Sequence, residues 1–316
     1  MLWFNILIFI ASIVLLVFSS RLLVGSLSKI AKFLGWKEFV VGFVVMASAT
    51  SFPNLFVGII SAVNGVPELA FGEIVGANIF DLAFVVGLSA ILSRQGLSAK
   101  SRTVQGSAVF TMLIAVLPLL LILDKSISRP DGILLVVVFV LYIFWVFGKR
   151  ERFEKTYDGA VKIKARDFLK DIAIFAISLA FLLLSAQGFV YSAQFFAETF
   201  NLSLVLVGML ILGIGSSLPE LFFSIQAAKK GEDWLLLGDL MGGVIIVATL
   251  VLGIIAIIAP IQIPGLANLA IARLFLAISA IGFLVCVRTH QRVTKGEAFI
   301  LLLIYVVFIL LEVSIR

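Results

Sequence analysis

Laid over itself with a shift of 166 residues, the chain matches without a gap: "VGFVVMASATSFPNLFVGIISAVNGVPELAFGEIVGANIFDLAFVVG" (41–87) falls on "VGMLILGIGSSLPELFFSIQAAKKGEDWLLLGDLMGGVIIVATLVLG" (207–253), with 15 identities in 47 positions. The shared residues include Gly42/Gly208, Ser51/Ser217, Pro53/Pro219, Gly65/Gly231, Gly72/Gly238, Gly76/Gly242 and Gly87/Gly253. Apolar composition alone produces chance matches of Leu, Ile and Val. It does not produce coincident glycines and prolines, whose places are set by backbone geometry. The chain reads as a duplication in which both halves build the same elements.

Those elements are membrane helices. At 62% hydrophobic and 13% charged residues the chain is far from a soluble domain, and its long unbroken apolar runs exclude a barrel, whose strands alternate over about 10 residues. Windows of about 20 apolar residues place spans near 2–31, 38–63, 68–93, 104–123, 132–148, 168–200, 203–228, 234–259, 267–288 and 297–314. The expected fold is an all-α integral membrane protein of ten transmembrane helices. Trp3, Trp36, Trp145 and Trp234 fall near predicted span ends, as interfacial aromatics do. The opening stretch lacks a basic region ahead of its apolar run, Arg21 following it instead, so it reads as a retained span rather than a signal peptide. The single cysteine, Cys286, excludes disulfides and cysteine-ligated metal. The net charge of +6 comes from lysines and arginines in short hinges and implies no nucleic-acid partner.

Lysine and arginine orient the chain. They cluster after spans 1, 3, 5, 7 and 9: Lys32 and Lys37, Arg94, Lys100 and Arg102, the run from Lys149 to Arg166, Lys229 and Lys230, and Arg288, Arg292 and Lys295. These ends are expected in the cytoplasm, with both termini outside a cell membrane that the chain crosses many times. Five spans per half is an odd number, so the halves insert in opposite senses: 1–148, a cytoplasmic linker at 149–167, and 168–316. The bilayer is the expected surround and the single chain the expected functional unit. Inverted repeats with interrupted helices in matching places are the build of a secondary transporter with its site between the repeats.

The interruptions are explicit. Proline lacks an N–H and its ring displaces the carbonyl four residues back, so Pro53 frees the oxygen of Ala49 and Pro219 that of Gly215. Thr50, Ser51, Ser216 and Ser217 add hydroxyls, and Asn54 and Glu220 follow the prolines directly. Clustered oxygens at midmembrane replace the hydration shell of a hard cation. Asp81 lies 13 residues into the third span, where an unpaired acid costs about 2.5–3.5 kcal/mol on insertion scales, and Asn78 shares its stripe one turn earlier. Glu73 and its mate Asp239 lie eight residues before Asp81 and Val247, expected either to line a vestibule or to sit at a helix entry.

At these residues the repeats resemble the α-repeats of the sodium/calcium exchanger family, within the cation/calcium antiporter superfamily, whose signatures run approximately G-T-S-x-P-E and G-(N)-x-x-G-S-N-I-x-(N/D). Here they stand as "ATSFPN" with "GEIVGANIFD", and "GSSLPE" with "GDLMGGVIIV". The resemblance implies a ten-span inverted-repeat antiporter in which Ca²⁺ and Na⁺ compete for one central site, with no cofactor. The family's ligand positions map onto Ala47, Thr50, Ser51, Asn54, Ala77 and Asp81, and onto Gly213, Ser216, Ser217, Glu220, Gly243 and Val247. The chain departs from the pattern at Asn54, Val244 and Val247, and at Ala77 and Gly243 in place of serines, leaving Asp81 and Glu220 as the site carboxylates. Fewer polar positions weaken Na⁺ sites most. Ca²⁺ exchange against Na⁺ is therefore the leading expectation, H⁺ in place of Na⁺ the second and monovalent exchange the third. Emptying a site with two charged acids is costly, which makes exchange obligatory. The first and sixth spans, with Arg21 and Gln187 in matching positions, are the expected sliding elements.

Enzyme readings fail on the residues. "LLGD" at 236–239 has Leu236 where an intramembrane aspartyl protease needs glycine, and Asp158 falls in the polar connection. One histidine, His290, in a predicted hinge, serves neither a serine dyad nor H-E-x-x-H. A passive channel built from the same oxygens stays open as an alternative.

Overall fold

The computed structural model describes residues 2–33, 45–148, 165–263 and 269–314. Trp36, Lys37, Gly42, Asp158 and 149–164 of the predicted linker lie outside them.

Among the described residues eight helices are long and apolar enough to cross a membrane: Leu2–Ile30, Pro67–Leu92, Arg102–Asp124, Arg129–Val146, Phe168–Thr199, Asp233–Ile258, Ala270–Gln291 and Lys295–Ser314. The pair Leu204–Ser216 and Leu218–Lys230, bent by 40°, makes a ninth if taken as one span. Of the predicted 38–63 span, Ala47–Thr50 and Phe52–Val63 are helical, and its start lies outside the described residues. The sixth helix begins at Ala165, inside the stretch read as linker.

Several helix ends have a local cause. Ser128 and Asp131 form a reciprocal cap ahead of the helix Arg129–Gly148: the Ser128 amide donates to Asp131 Oδ2 at 2.8 Å and the Asp131 amide to Ser128 Oγ at 3.4 Å. Their repeat mates Thr294 and Glu297 do the same ahead of Lys295–Ser314, at 2.8 and 3.3 Å. Gly231 closes the helix Leu218–Lys230 in the left-handed region at φ 74°, and its mate Gly65 has φ 75° after Phe52–Val63. A side chain there is strained, which explains why this glycine pair is shared.

Packing repeats as well. A Cβ on Gly87 would stand 2.8 Å from the Ala298 carbonyl, and one on its mate Gly253 2.7 Å from the carbonyl of Gly132, the mate of Ala298. Two-residue strands join the loops in the same crossed manner. Leu97–Ser98 pairs antiparallel with Arg292–Val293, and Ser126–Ile127 with Ile261–Gln262. Because the helix Arg102–Leu121 runs between the first and third of these strands, the two pairings mark its opposite ends.

The helices Leu2–Phe33 and Ala165–Thr199 form a pair of their own. Phe33 stacks on Phe168 at 4.2 Å and Phe9 on Phe189 at 5.3 Å, so they run antiparallel. Lys29 Nζ lies 3.6 Å from Asp171 Oδ1. Buried serines recur every seven residues on both, at 12, 19 and 26 and at 178, 185 and 192. This pair builds a separate apolar cluster around Leu16, Leu182 and Phe189, which touches Val57, Leu69 and Leu212 of the main bundle. Arg21 and Gln187 are exposed, Arg21 lying 4.6 Å from the Phe222 ring centroid.

Candidate functional site

The helix breaks are where the prolines demand them. Ser51 (φ −79°, ψ −4°) separates Ala47–Thr50 from Phe52–Val63, and Ser217 (φ −86°, ψ 2°) separates Gly213–Ser216 from Leu218–Lys230. Both prolines sit in the first turn of the helix that follows, where a missing N–H costs least. The Ser217 amide approaches the Gly215 carbonyl, so the oxygen freed by Pro219 is met locally. Wider π-helical turns adjoin the site at Gly208–Leu212, Phe80–Val85 and Val247–Val251, the last two being repeat mates. Such turns gather at functional sites, and the second carries Asp81.

Glycines set how close the broken helices come. Gly72 and Gly76 lie against the Val205 and Met209 carbonyls, and Gly208 against that of Leu69, so a side chain at any of them would collide with backbone. A Cβ on Gly213 would stand 2.7 Å from the Ala77 amide. On the opposite side Gly243 faces Ser51, its Cβ position 3.6 Å from Ser51 Oγ. Two expected ligand positions from each repeat therefore meet in crossed pairs.

The expected polar residues are sealed from solvent: Thr50, Ser51, Asn54, Asn78, Asp81, Ser216, Ser217 and Glu220 are all buried, as are Ala47 and Gly213. Glu220 interacts electrostatically with Asp81, Asp239 and Glu73, and Asp81 with Asp239. The Ser217 hydroxyl adjoins the Asp81 carboxyl without hydrogen-bond geometry. Ser51 Oγ, both amide atoms of Asn54 and Asn78, Asp81 Oδ1 and Glu220 Oε2 find no hydrogen-bond partner among the described residues. Buried orphans on this scale are rare unless a ligand completes them. The Ala47 carbonyl accepts from the Ser51 amide at 3.1 Å and the Thr50 hydroxyl at 3.2 Å, and Gly213 O from Ser216 Oγ at 3.4 Å. The Tyr305 ring, 5.4 Å from Phe80 and 5.3 Å from Phe84, walls the π-turn that carries Asp81. Among the described residues no three His, Cys, Asp or Glu side chains group to hold a metal, so a cation held by two acids must complete its shell with neutral oxygens.

Glu73 and Asp239 are placed otherwise than expected. Neither lines a vestibule or sits at a helix entry. Both are 0% exposed, Glu73 accepting from Ser216 Oγ at 2.6 Å and Asp239 from Thr50 Oγ1 at 3.0 Å. The available signal was their coincidence at the 166-residue shift, each one residue after a shared glycine, at 72 and 238. His290 is exposed, in a turn at φ 56°.

Fold and site define a multi-pass helical membrane protein with broken helices around a buried oxygen cluster, the build of a transporter. The chain belongs to the sodium/calcium exchanger protein family, which matches residues 4–148 and 170–313. It is 29% identical over 307 residues to the putative antiporter CaxA of Alkalimonas amylolytica, covering 94% of this chain and 95% of that one. It is 26% identical over 343 residues to the sodium/calcium exchanger MaX1 of Methanosarcina acetivorans (96% and 97% covered), and 26% over 299 residues to the inner membrane protein YrbG of Escherichia coli K12 (92% and 91%). Its fold matches the sodium-calcium exchanger NCX_Mj soaked with 10 mM Na⁺ and 10 mM Sr²⁺ at a TM-score of 0.69, with 22% identity and both chains wholly covered. The family consists of transporters, and the protein is not an enzyme.

Proposed function

We propose that the protein is a secondary active antiporter exchanging Ca²⁺ for Na⁺ across the membrane by alternating access. The observation that carries this reading is the burial of Glu220, just after a helix break, within electrostatic reach of Asp81 in its π-helical turn, among unpartnered oxygens. MaX1 is a sodium/calcium exchanger and CaxA a putative antiporter, which supports the ion class. Ca²⁺ takes 6–8 oxygens. Asp81 and Glu220 supply the charge, Asn54 and Asn78 amide oxygens, Thr50, Ser51, Ser216 and Ser217 hydroxyls, and Ala47 and Gly213 carbonyls. Ala77, Gly243 and Val247 contribute no side-chain oxygen, so Na⁺ sites that depend on them are weaker.

The chain is organised as ten spans in two inverted repeats, 1–148 and 168–316, joined at 149–167, with both termini outside and a single chain acting in the bilayer. The crossed pairs Gly87/Ala298 and Gly253/Gly132, the two crossed strand pairings and the antiparallel helices 2–33 and 165–199 support this organisation. Serine-lined contact along those two helices suits them to slide against the bundle. The cations are cargo, and no cofactor is required.

Proteoliposome uptake of radiolabelled Ca²⁺ tests the reading. Uptake that depends on an outward Na⁺ gradient supports it, and uptake needing no counter-ion means a channel. A proton in place of Na⁺ is the second reading, favoured by a buried Glu220 in electrostatic reach of three further buried carboxyls, Asp81, Asp239 and Glu73, and uptake driven by a pH gradient alone selects it. Monovalent exchange without Ca²⁺ movement contradicts both.

A further inference from the structure

We propose that Glu73 and Asp239 are positioning residues that set which cation the site prefers, each acting through a hydroxyl of the opposite repeat. This inference rests on the antiport reading above.

A hydroxyl that ligates a cation must aim a lone pair at it and send its hydrogen elsewhere. Ser216 sends its hydrogen to Glu73 Oε1 at 2.6 Å in preference to Gly213 O at 3.4 Å. Thr50 divides its hydrogen among Asp239 Oδ1 at 3.0 Å, Met46 O at 3.1 Å and Ala47 O at 3.2 Å. A carboxyl acceptor makes the strongest of these bonds and pushes electron density back onto the hydroxyl oxygen. Glu73 Oε2 and Asp239 Oδ2 have no hydrogen-bond partner among the described residues, so the hydroxyl is the donor that fixes each carboxyl. Asn54 and Val247 bring no charge to the site. Glu73 and Asp239 place charge one hydrogen bond further out, behind ligands instead of among them. A hard divalent ion gains more from that field than a monovalent one. The Ser216 bond is the shorter and less divided, so Glu73 controls its ligand more tightly than Asp239 does.

The full chain in proteoliposomes is assayed for the Ca²⁺ KM, kcat and the Na⁺ concentration that half-inhibits Ca²⁺ uptake. Glu73→Gln keeps an acceptor and loses the charge. It is expected to raise the Ca²⁺ KM by about tenfold or more, the scale seen for supporting partners of metal ligands, while kcat and the Na⁺ inhibition constant, taken from half-inhibition corrected for the changed Ca²⁺ KM, move less than about threefold. Asp239→Asn does the same more weakly. Glu73→Ala with Ser216→Ala costs no more than Ser216→Ala alone, because the carboxyl acts through that hydroxyl. Additive losses, an unchanged KM in Glu73→Gln, or equal losses for both ions overturn the inference. If Glu73→Ala fails to fold, Ser216→Thr decides in its place: retention of the wild-type KM in Ser216→Thr but not in Ser216→Ala supports a hydroxyl role, and equal loss in both overturns it. Wild-type protein with no counter-ion-dependent flux overturns the antiport reading and this inference together. Wild-type exchange with unaltered Glu73→Gln overturns this inference alone.

Discussion

Thr50 and Asp239 stand 189 positions apart and share a hydrogen bond of 3.0 Å, while their repeat mates Ser216 and Glu73 share one of 2.6 Å. Each bond joins a helix break of one half to an acid of the other. The breaks are thereby held by the opposite half, and neither half completes its own part of the site.

In the proposed site, replacing either central acid removes a charge that holds the cation. Asp81→Asn and Glu220→Gln are each expected to lower Ca²⁺ affinity at least about tenfold, equivalent to about 1.4 kcal/mol. Both keep the size of the side chain, so the purified variants remain folded by circular dichroism. Calorimetric titration with Ca²⁺ checks the loss, and wild-type affinity in either variant removes that residue from the site.

Two glycines of the repeats part company on space. Gly243→Ser is expected to fold normally, because the nearest atom to its Cβ position is Ser51 Oγ at 3.6 Å, and its new hydroxyl restores an oxygen that the family pattern carries, strengthening half-inhibition by Na⁺. Gly76→Ala drives a methyl into the Met209 carbonyl and is expected to destabilise the protein by about 1–3 kcal/mol, the usual cost of overpacking. Thermal unfolding of the detergent-purified variants separates them.

Most of the fold was legible because membrane helices announce themselves by length and apolarity, and because the prolines and glycines at matching places have backbone causes. Pro53, Pro219 and Gly231 do locally what their residue types require. What stayed hidden was contact between halves. Glu73 and Asp239 lie two turns from Asp81 and Val247 along their helices, and sequence spacing cannot report that the facing helix brings a hydroxyl to them. The Ser128/Asp131 and Thr294/Glu297 caps were readable at the same shift, as S-x-x-D and T-x-x-E, and extend the repeat beyond 41–87 to the last helix of each half. The ligand roles proposed for Ala47 and Gly213 come through family resemblance, since neither residue type carries a signal of its own.

Helices 2–33 and 165–199 must slide if access alternates as proposed. A Cβ at position 188 would stand 3.7 Å from Ser12 Cβ, within the range for a disulfide. Ser12→Cys with Gly188→Cys, in a Cys286→Ser background, is expected to crosslink under mild oxidation. It also introduces a side chain where Ser12 Oγ is tightly apposed, so uptake is compared with the same protein reduced. Full Ca²⁺ uptake in the crosslinked protein supports sliding of the two helices as a pair against the bundle, and loss of uptake on oxidation with its return on reduction shows that they move against one another instead.

Asn54 marks where the first repeat departs from the second, which has Glu220 in that place. Asn54→Glu adds a carboxyl at a buried position of the proposed site, whose acids Asp81 and Glu220 are already in electrostatic reach of one another. Its unfolding temperature is expected to fall below wild type in chelator and to rise more steeply with added Ca²⁺, because the ion relieves the repulsion. Equal Ca²⁺ protection in both proteins would mean that residue 54 does not face the cation.

The central claim is that one acid from each half grips the same ion. Anomalous scattering from crystals grown with Sr²⁺ tests it most directly. One peak bridging the Asp81 and Glu220 carboxylates, at the distances of about 2.3–2.6 Å or slightly more that Ca²⁺-like ions adopt, is the predicted result. A bound ion that touches one of these carboxylates and not the other contradicts it.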